Sequence, residues 1–328
     1  MADLSTKYMG LKLANPLMVA SCSLSKKLEG IIRIADSGAG AIVLKSLFEE
    51  QIQKEMVEDI EKHIAPSWHS EAYDYVEKMG MELGPREYLG LIEEAKKAVS
   101  IPVIASLNCV STRWWKDYAK QIETAGADGL ELNIAYMAND MNKSGSDVEK
   151  LYFRVLERVK DTINIPVAVK LGPYFTNISQ FTSQLCRHGA SALVFFNRFY
   201  QFDIDLEQMK LSAAGPFSSE SEMRLPLKWI AQLHGKLECD LAASTGIHSA
   251  ESVVKQILAG AQTVQLCSVL YSKGVDYLKE ILEGLETWME TKGYGSLDQM
   301  RGKLGQVESK NPELYERLQY IKVLVGIE

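Results

Sequence analysis

Eight short apolar runs punctuate this chain, at residues 16–20 (PLMVA), 41–45 (AIVLK), 102–107 (PVIASL), 129–134 (GLELNI), 166–171 (PVAVKL), 192–196 (ALVFF), 240–244 (DLAAS) and 263–267 (TVQLC). Near-continuous apolar runs suit strands covered on both faces, the condition of a parallel sheet wrapped by helices. The stretches between them, 27–37, 85–99, 114–124, 148–163, 178–188, 225–234, 250–259 and 276–291, carry apolar residues at helical spacing. Four strands follow a Gly-Ala pair, at Gly38, Gly126, Gly189 and Gly260, where glycine supplies the positive φ that ends a helix. Ile-Pro-Val opens two others, at 101–103 and 165–167, a weak internal repeat of βα pairs. Eight strands alternating with eight helices predict an α/β chain folded as a (β/α)8 TIM barrel. An open doubly wound sheet would carry a glycine-rich turn after its first strand, and residues 20–23 (ASCS) supply none.

Two connections are too long for plain loops: 47–84 after the second strand and 197–224 after the sixth. Long insertions of this kind usually cover the mouth of a barrel. The tail, 292–328, reads as charged and helical, and is expected to pack on the barrel or a second subunit. No domain boundary is evident, so residues 1–328 are expected to form one barrel domain.

Composition narrows the partners. A net charge of −7 with no basic run excludes nucleic acid and anionic membranes, which need a positive footprint. The N-terminus is polar and no apolar stretch is long enough to span a bilayer, so the expected location is cytoplasmic. Five scattered cysteines without a C-x-x-C pair suggest separate reduced thiols and no metal site. The five histidines form no metal-like pair; His63 and His69 lie in the first insertion, and His248 beside a candidate phosphate loop.

Chemistry in such a barrel sits where the strands end at their C-termini. Those ends carry Ser21, Lys45, Ser46, Ser106, Asn108, Asn133, Lys170, Asn197, Thr245, Gly246, Cys267 and Ser268. Two lysines and three asparagines suit an electron-rich planar ligand, because lysine offsets charge and amides both donate and accept at ring edges. Backbone N–H groups after strands seven and eight, with a helix starting near Ser249, suit a phosphate.

At these residues the chain resembles the dihydroorotate dehydrogenases of the cytosolic type, and the barrel of dihydropyrimidine dehydrogenases. The resemblance runs nearly end to end. It is carried by 11–21 (LKLANPLMVAS), 41–46 (AIVLKS), 131–133 (ELN), 169–175 (VKLGPYF) and 258–271 (LAGAQTVQLCSVLY). It implies an FMN oxidoreductase that interconverts a CH–CH and a C=C bond. Ala20, Ser21, Lys45, Ser46, Asn108 and Lys170 would then contact the flavin, with Lys170 near its reducible end. Thr245, Gly246, Cys267 and Ser268 would hold the phosphate, and Asn133 and Asn197 would face both flavin and substrate. Lys45 also falls among the implied substrate contacts.

The departures bear on chemistry. The family's catalytic loop reads Asn-x-Ser-Cys-Pro-Asn, whereas residues 133–138 read NIAYMA, placing Tyr136 at the position of the basic cysteine. Ala138 replaces the closing asparagine, and Glu82 stands where a further substrate asparagine is expected. Fewer amides would bind orotate poorly, so a pyrimidine-like compound or an enoate is the expected substrate class. Tyrosine is a poor base at neutral pH but a serviceable proton donor. The expected catalytic set is therefore Tyr136, Lys170 and Asn133, with Cys109 as an alternative base. A non-catalytic FMN-binding relative and a Schiff-base aldolase using Lys170 or Lys45 are the competing readings. Fumarate, a nicotinamide cofactor through a partner, and oxygen remain open as electron acceptors, and a homodimer is compatible with the sequence.

Overall fold

The computed structural model describes residues 2–48, 86–108, 115–134, 136, 138–198, 202–213, 215 and 217–316. Eight parallel strands form the barrel: β3 (Leu17–Val19), β4 (Ala41–Val43), β6 (Val103–Asn108), β7 (Gly129–Asn133), β8 (Val167–Leu171), β9 (Ala192–Phe195), β12 (Asp240–Ser244) and β13 (Thr263–Leu266). Their order is β4-β3-β13-β12-β9-β8-β7-β6, and pairing of β4 with β6 closes the ring. Each strand coincides with one of the eight apolar runs. A two-residue strand, β5 (Leu47–Phe48), adds to the upper end of β6.

Alternation along each strand separates two apolar layers. Leu130 and Leu132, or Val167, Val169 and Leu171, point outward into the large core shared with the helices. Met18, Ala41, Val43, Ile104, Ala168, Ala192, Val194 and Ala242 point into the bore. The bottom of the bore is filled by the hairpin of β1 (Thr6–Tyr8) and β2 (Leu11–Leu13), whose Tyr8, Met9 and Leu13 pack on those inward residues. Gly129 leaves room for this plug, since a Cβ there would lie 3.0 Å from Met9 Cε. The Met9 amide donates to Asp240 Oδ2 at 2.7 Å and ties the hairpin to β12.

The helices cover the outside in the order predicted: α1 (Leu28–Asp36), α2 (Arg86–Ala98), α3 (Trp115–Thr124), α4 (Gly145–Lys160), α5 (Ile178–Arg187), α6 (Arg224–Leu233), α7 (Ala250–Ala259), a short α8 (Ser268–Lys273) and α9 (Tyr277–Thr291). Gly38, Gly126, Gly189 and Gly260, the four glycines read as helix stops, all have positive φ. The sixth-strand insertion holds an antiparallel hairpin, β10 (Phe202–Asp205) with β11 (Lys210–Ala213). Most of the second-strand insertion lies outside the described residues.

Two expectations are corrected. Cys186, in the last turn of α5, and Cys239, just before β12, are disulfide-bonded rather than separate thiols. The described part of the tail contains only one four-residue helix, α10 (Leu297–Met300), and a 3-10 turn at Pro312–Tyr315. Gly293 and Gly302 take positive φ and interrupt the helical pattern. The tail does pack on the barrel: the amides of Gly302 and Leu304 donate to Ile257 and Leu258, and that of Gln306 to Ala231.

Candidate active site at the barrel mouth

The strand ends open on a cavity of about 200 Å³ that brings together Ala20, Ser21, Lys170, Asn197, Thr245, Gly246, Cys267 and Ser268. Lys170, at the end of β8, is buried, with its ammonium directed into the bore. It donates to Gln265 Oε1 at 3.0 Å and lies 3.6 Å from Glu131 Oε1. Beside it, Asn197 Nδ2 donates to Asn133 Oδ1 at 2.9 Å, so the two expected amides meet above the lysine's strand.

At the turn expected to hold a phosphate, Thr245 and Gly246 both adopt left-handed backbone, φ 75° and 76°. That geometry turns successive N–H groups toward one concavity. Thr245 is anchored by its hydroxyl, which donates to the Phe196 carbonyl at 3.0 Å. Behind the turn α7 begins, capped by Ser249, whose hydroxyl accepts from the Ser252 amide. The Gly246 amide already donates to an oxygen, Ser218 Oγ, at 3.3 Å. Ser218 Oγ also donates to Ser268 Oγ at 3.1 Å and lies 3.2 Å from His248 Nε2. The Ser218 hydroxyl oxygen thus lies where the Gly246 amide can donate to an oxygen, beside His248 and Ser268. A buried cation, left-handed amides, a helix N-terminus and the Arg198 guanidinium at the rim form a donor set that fits a phosphate-bearing planar cofactor.

Across the mouth, three hydroxyls form a ladder: Ser21 Oγ to Ser46 Oγ at 2.9 Å, and Ser46 Oγ to Ser106 Oγ at 2.8 Å. The Ser46 amide donates to Ser21 Oγ, which locks the ends of the first two strands together. Asn108 is buried at the end of β6.

Lys45 lies beyond the last residue of β4, its ammonium 5.2 Å from the centre of the Phe48 ring, and lines a second cavity with Ser46, Tyr88 and Lys27. Tyr136 is half-buried on the loop after β7, and its hydroxyl accepts from Lys143 Nζ at 2.9 Å. That contact raises the Lys143 pKa, so the lysine stays charged. Glu82, Cys109, His63 and His69 lie outside the described residues.

Several residues here were not singled out from the sequence. Glu131 and Gln265 occupy inward positions of β7 and β13, and their signal is a polar residue at an inward position inside an apolar run. Arg198 bonds Glu222 at 2.9 Å. Cys22 sits against Cys267, whose thiol contact, aided by backbone amides, lowers the Cys22 thiol to about 7; the same contact and then burial push Cys267 up. Among the described residues no group of histidines, cysteines and carboxylates is arranged to hold a metal. None of their helices is long and apolar enough to cross a membrane.

This geometry agrees with what known proteins share with the chain. A Methanosarcina acetivorans protein described as the catalytic subunit of dihydroorotate dehydrogenase B (NAD(+)) is 30% identical over 301 residues, covering 89% of this chain and 93% of its own. Proteins of the same description from Thermoplasma acidophilum and Pyrococcus furiosus are each 26% identical, over 92% of this chain and 99% and 98% of their own. The profile of the family described as dihydroorotate dehydrogenase matches residues 3–289, from the plug hairpin to the last barrel helix. With that match spanning every barrel strand, the chain belongs to the dihydroorotate dehydrogenase family.

Proposed function

We propose that this oxidoreductase binds FMN at the barrel mouth and interconverts a CH–CH and a C=C bond in a small polar substrate, pyrimidine-like or an enoate. One observation carries the reading: the buried Lys170 ammonium and the left-handed Thr245–Gly246 turn line a single cavity. A phosphate suits the turn and the helix behind it, and an electron-rich ring suits the lysine. Ala20, Ser21, Lys45, Ser46, Asn108, Asn133, Asn197, Cys267 and Ser268 complete the proposed flavin contacts.

When bound, FMN supplies acceptance and return of a hydride. The protein's part is orientation and proton handling. The Asn133–Asn197 pair presents amide donors and acceptors to the polar edge of the substrate; Lys45 and, by the resemblance alone, Glu82 are the other proposed substrate contacts. Tyr136 is the proton donor in this reading. Because Lys143 donates to the phenol oxygen, the tyrosine's own hydrogen is left for the substrate. A Schiff-base reaction at Lys170 is disfavoured, since Gln265 and Glu131 engage its nitrogen as they would an ammonium. The names of the relatives carry both NAD(+) and "catalytic subunit", so a nicotinamide acceptor reached with a second subunit is the first to test.

The test is a flavin-reoxidation screen against orotate, fumarate and simple enoates, run on the wild type and on Tyr136→Phe. Reoxidation by one compound class, slowed in the variant, is the expected result. Flavin that none of them reoxidises would favour the non-catalytic reading.

A further inference from the structure

The bore of this barrel contains a charged trio that neither packing nor phosphate binding requires. Glu131 and Gln265 are each 1% exposed and Lys170 is 7% exposed. Gln265 joins the other two: its Oε1 accepts from Lys170 Nζ at 3.0 Å and its Nε2 donates to Glu131 Oε2 at 2.5 Å. Glu131 Oε1 lies 3.6 Å from the ammonium and has no hydrogen-bond partner of its own. The residues come from β7, β8 and β13, so the chain of contacts crosses the bore.

We infer that Glu131 and Gln265 are positioning residues that keep the Lys170 side chain charged and aimed at the cavity where FMN is proposed to sit. The inference rests on that FMN reading and deepens it. Burying a carboxylate and an ammonium is costly, and apolar side chains of similar volume often serve a fold as well or better. Stability is therefore a poor reason for the trio. The amide of Gln265 gives its direction: with its oxygen toward the lysine and its nitrogen toward the glutamate, it matches a protonated amine at one end and an ionised carboxyl at the other. One of the lysine's N–H bonds is directed at Gln265 and the ammonium faces Glu131 at 3.6 Å, so donor capacity remains for a ligand.

The surroundings reinforce the polarity. Below Glu131 stands the Tyr8 hydroxyl, buried without a hydrogen-bond partner, its pKa raised by burial and then by the charges of Glu131 and Asp240. Above, Cys267 is the cavity residue that feels the positive charge of Lys170. Negative charge thus lies on the floor of the bore and positive charge at its mouth. A cation at that place favours the reduced, more negative state of a flavin, and an isolated buried ammonium with no counter-ion tends to lose its proton. Removing Glu131's charge should consequently act on the flavin through Lys170.

The experiment compares the FMN-loaded wild type with Glu131→Gln, Gln265→Leu, Lys170→Met and the double variant Glu131→Gln/Lys170→Met. The midpoint potential of the flavin is read with a reference dye. Expected is a fall in Glu131→Gln and Gln265→Leu, toward the Lys170→Met value, of at least tenfold in the reduction equilibrium, or ~30 mV for a two-electron couple. A merely structural role would leave the potential of correctly folded, flavin-loaded protein unchanged. Thermal melting of the flavin-free proteins supplies the second readout, since Lys170→Met alone leaves Glu131 buried and unpaired. The double variant should melt above Lys170→Met. A wild-type potential in Glu131→Gln, a rise there, or additive melting effects of the two substitutions would overturn the inference. Failure of the wild type to take up FMN would instead overturn the cofactor reading, and this inference with it.

Discussion

Replacing Gly246 by alanine tests the proposed phosphate turn at its narrowest point. With φ at 76°, any L-residue there pays a conformational cost of roughly 1–2 kcal/mol. The new Cβ would also lie 2.2 Å from the Met223 nitrogen and 2.9 Å from the Glu222 carbonyl carbon, and both contacts are backbone. No rotamer change relieves them, so either the turn or the segment 220–223 must move, at about 1–3 kcal/mol for overpacking. Together these predict a loss of about 2–5 kcal/mol and a fall in Tm of roughly 3–7 °C. Displacing the amides should also weaken FMN binding about 100-fold, as expected from losing one or two charge-assisted hydrogen bonds. Gly274→Ala is the control, because φ there is 85° but no atom lies within 4 Å of the added Cβ. It should show the conformational cost alone, with unchanged FMN affinity. Circular-dichroism melting and fluorescence titration of apoprotein with FMN measure both quantities. Wild-type melting and affinity in Gly246→Ala would refute the reasoning.

Further outcomes follow from neighbouring contacts. Tyr136→Phe should lower turnover about 100-fold while leaving the FMN dissociation constant unchanged; equal turnover would remove Tyr136 from the chemistry. Tyr152 donates from its buried hydroxyl to the Ile134 carbonyl at 2.6 Å, at the root of the loop carrying Tyr136. Tyr152→Phe should therefore cost about 1–2 kcal/mol in urea denaturation, and an unchanged midpoint would refute that. Cys22, its thiol lowered to about 7 chiefly by contact with Cys267, should be alkylated by iodoacetamide at a rate that rises as pH passes through that value. Peptide mass spectrometry reads this, and a midpoint near the ordinary thiol value of 9.0 would count against the Cys22–Cys267 contact.

What the sequence discloses about this barrel follows the range of the forces involved. The strands were legible because burial on both faces leaves continuous apolar runs such as PVAVKL, and the helix stops because Gly38, Gly126, Gly189 and Gly260 sit where only positive φ serves. The turn at the end of the seventh strand was legible from Thr245-Gly246 following the seventh run, and both residues take positive φ. The Glu131–Gln265–Lys170 trio was not, since its members lie 134 and 95 residues apart and meet only through strand register across a closed ring. The Cys186–Cys239 bond escaped for the same reason, because α5 and β12 become neighbours only once the barrel closes. Lys45, grouped with Lys170 as a strand-end lysine, stands just past Val43, the last residue of β4, and the chain continues beside β6 to β5. The pairing of Tyr136 with Lys143 depends on the path of a loop, which no periodicity encodes.

The central claim is that the Lys170 and Gly246 ends of one cavity belong to a single FMN site. Titration of the apoprotein with FMN, followed by calorimetry and flavin absorbance, tests it most directly. Saturable uptake by the wild type, weakened in both Lys170→Met and Gly246→Ala and untouched in Gly274→Ala, is the predicted result. A colourless protein that takes up no FMN would contradict it.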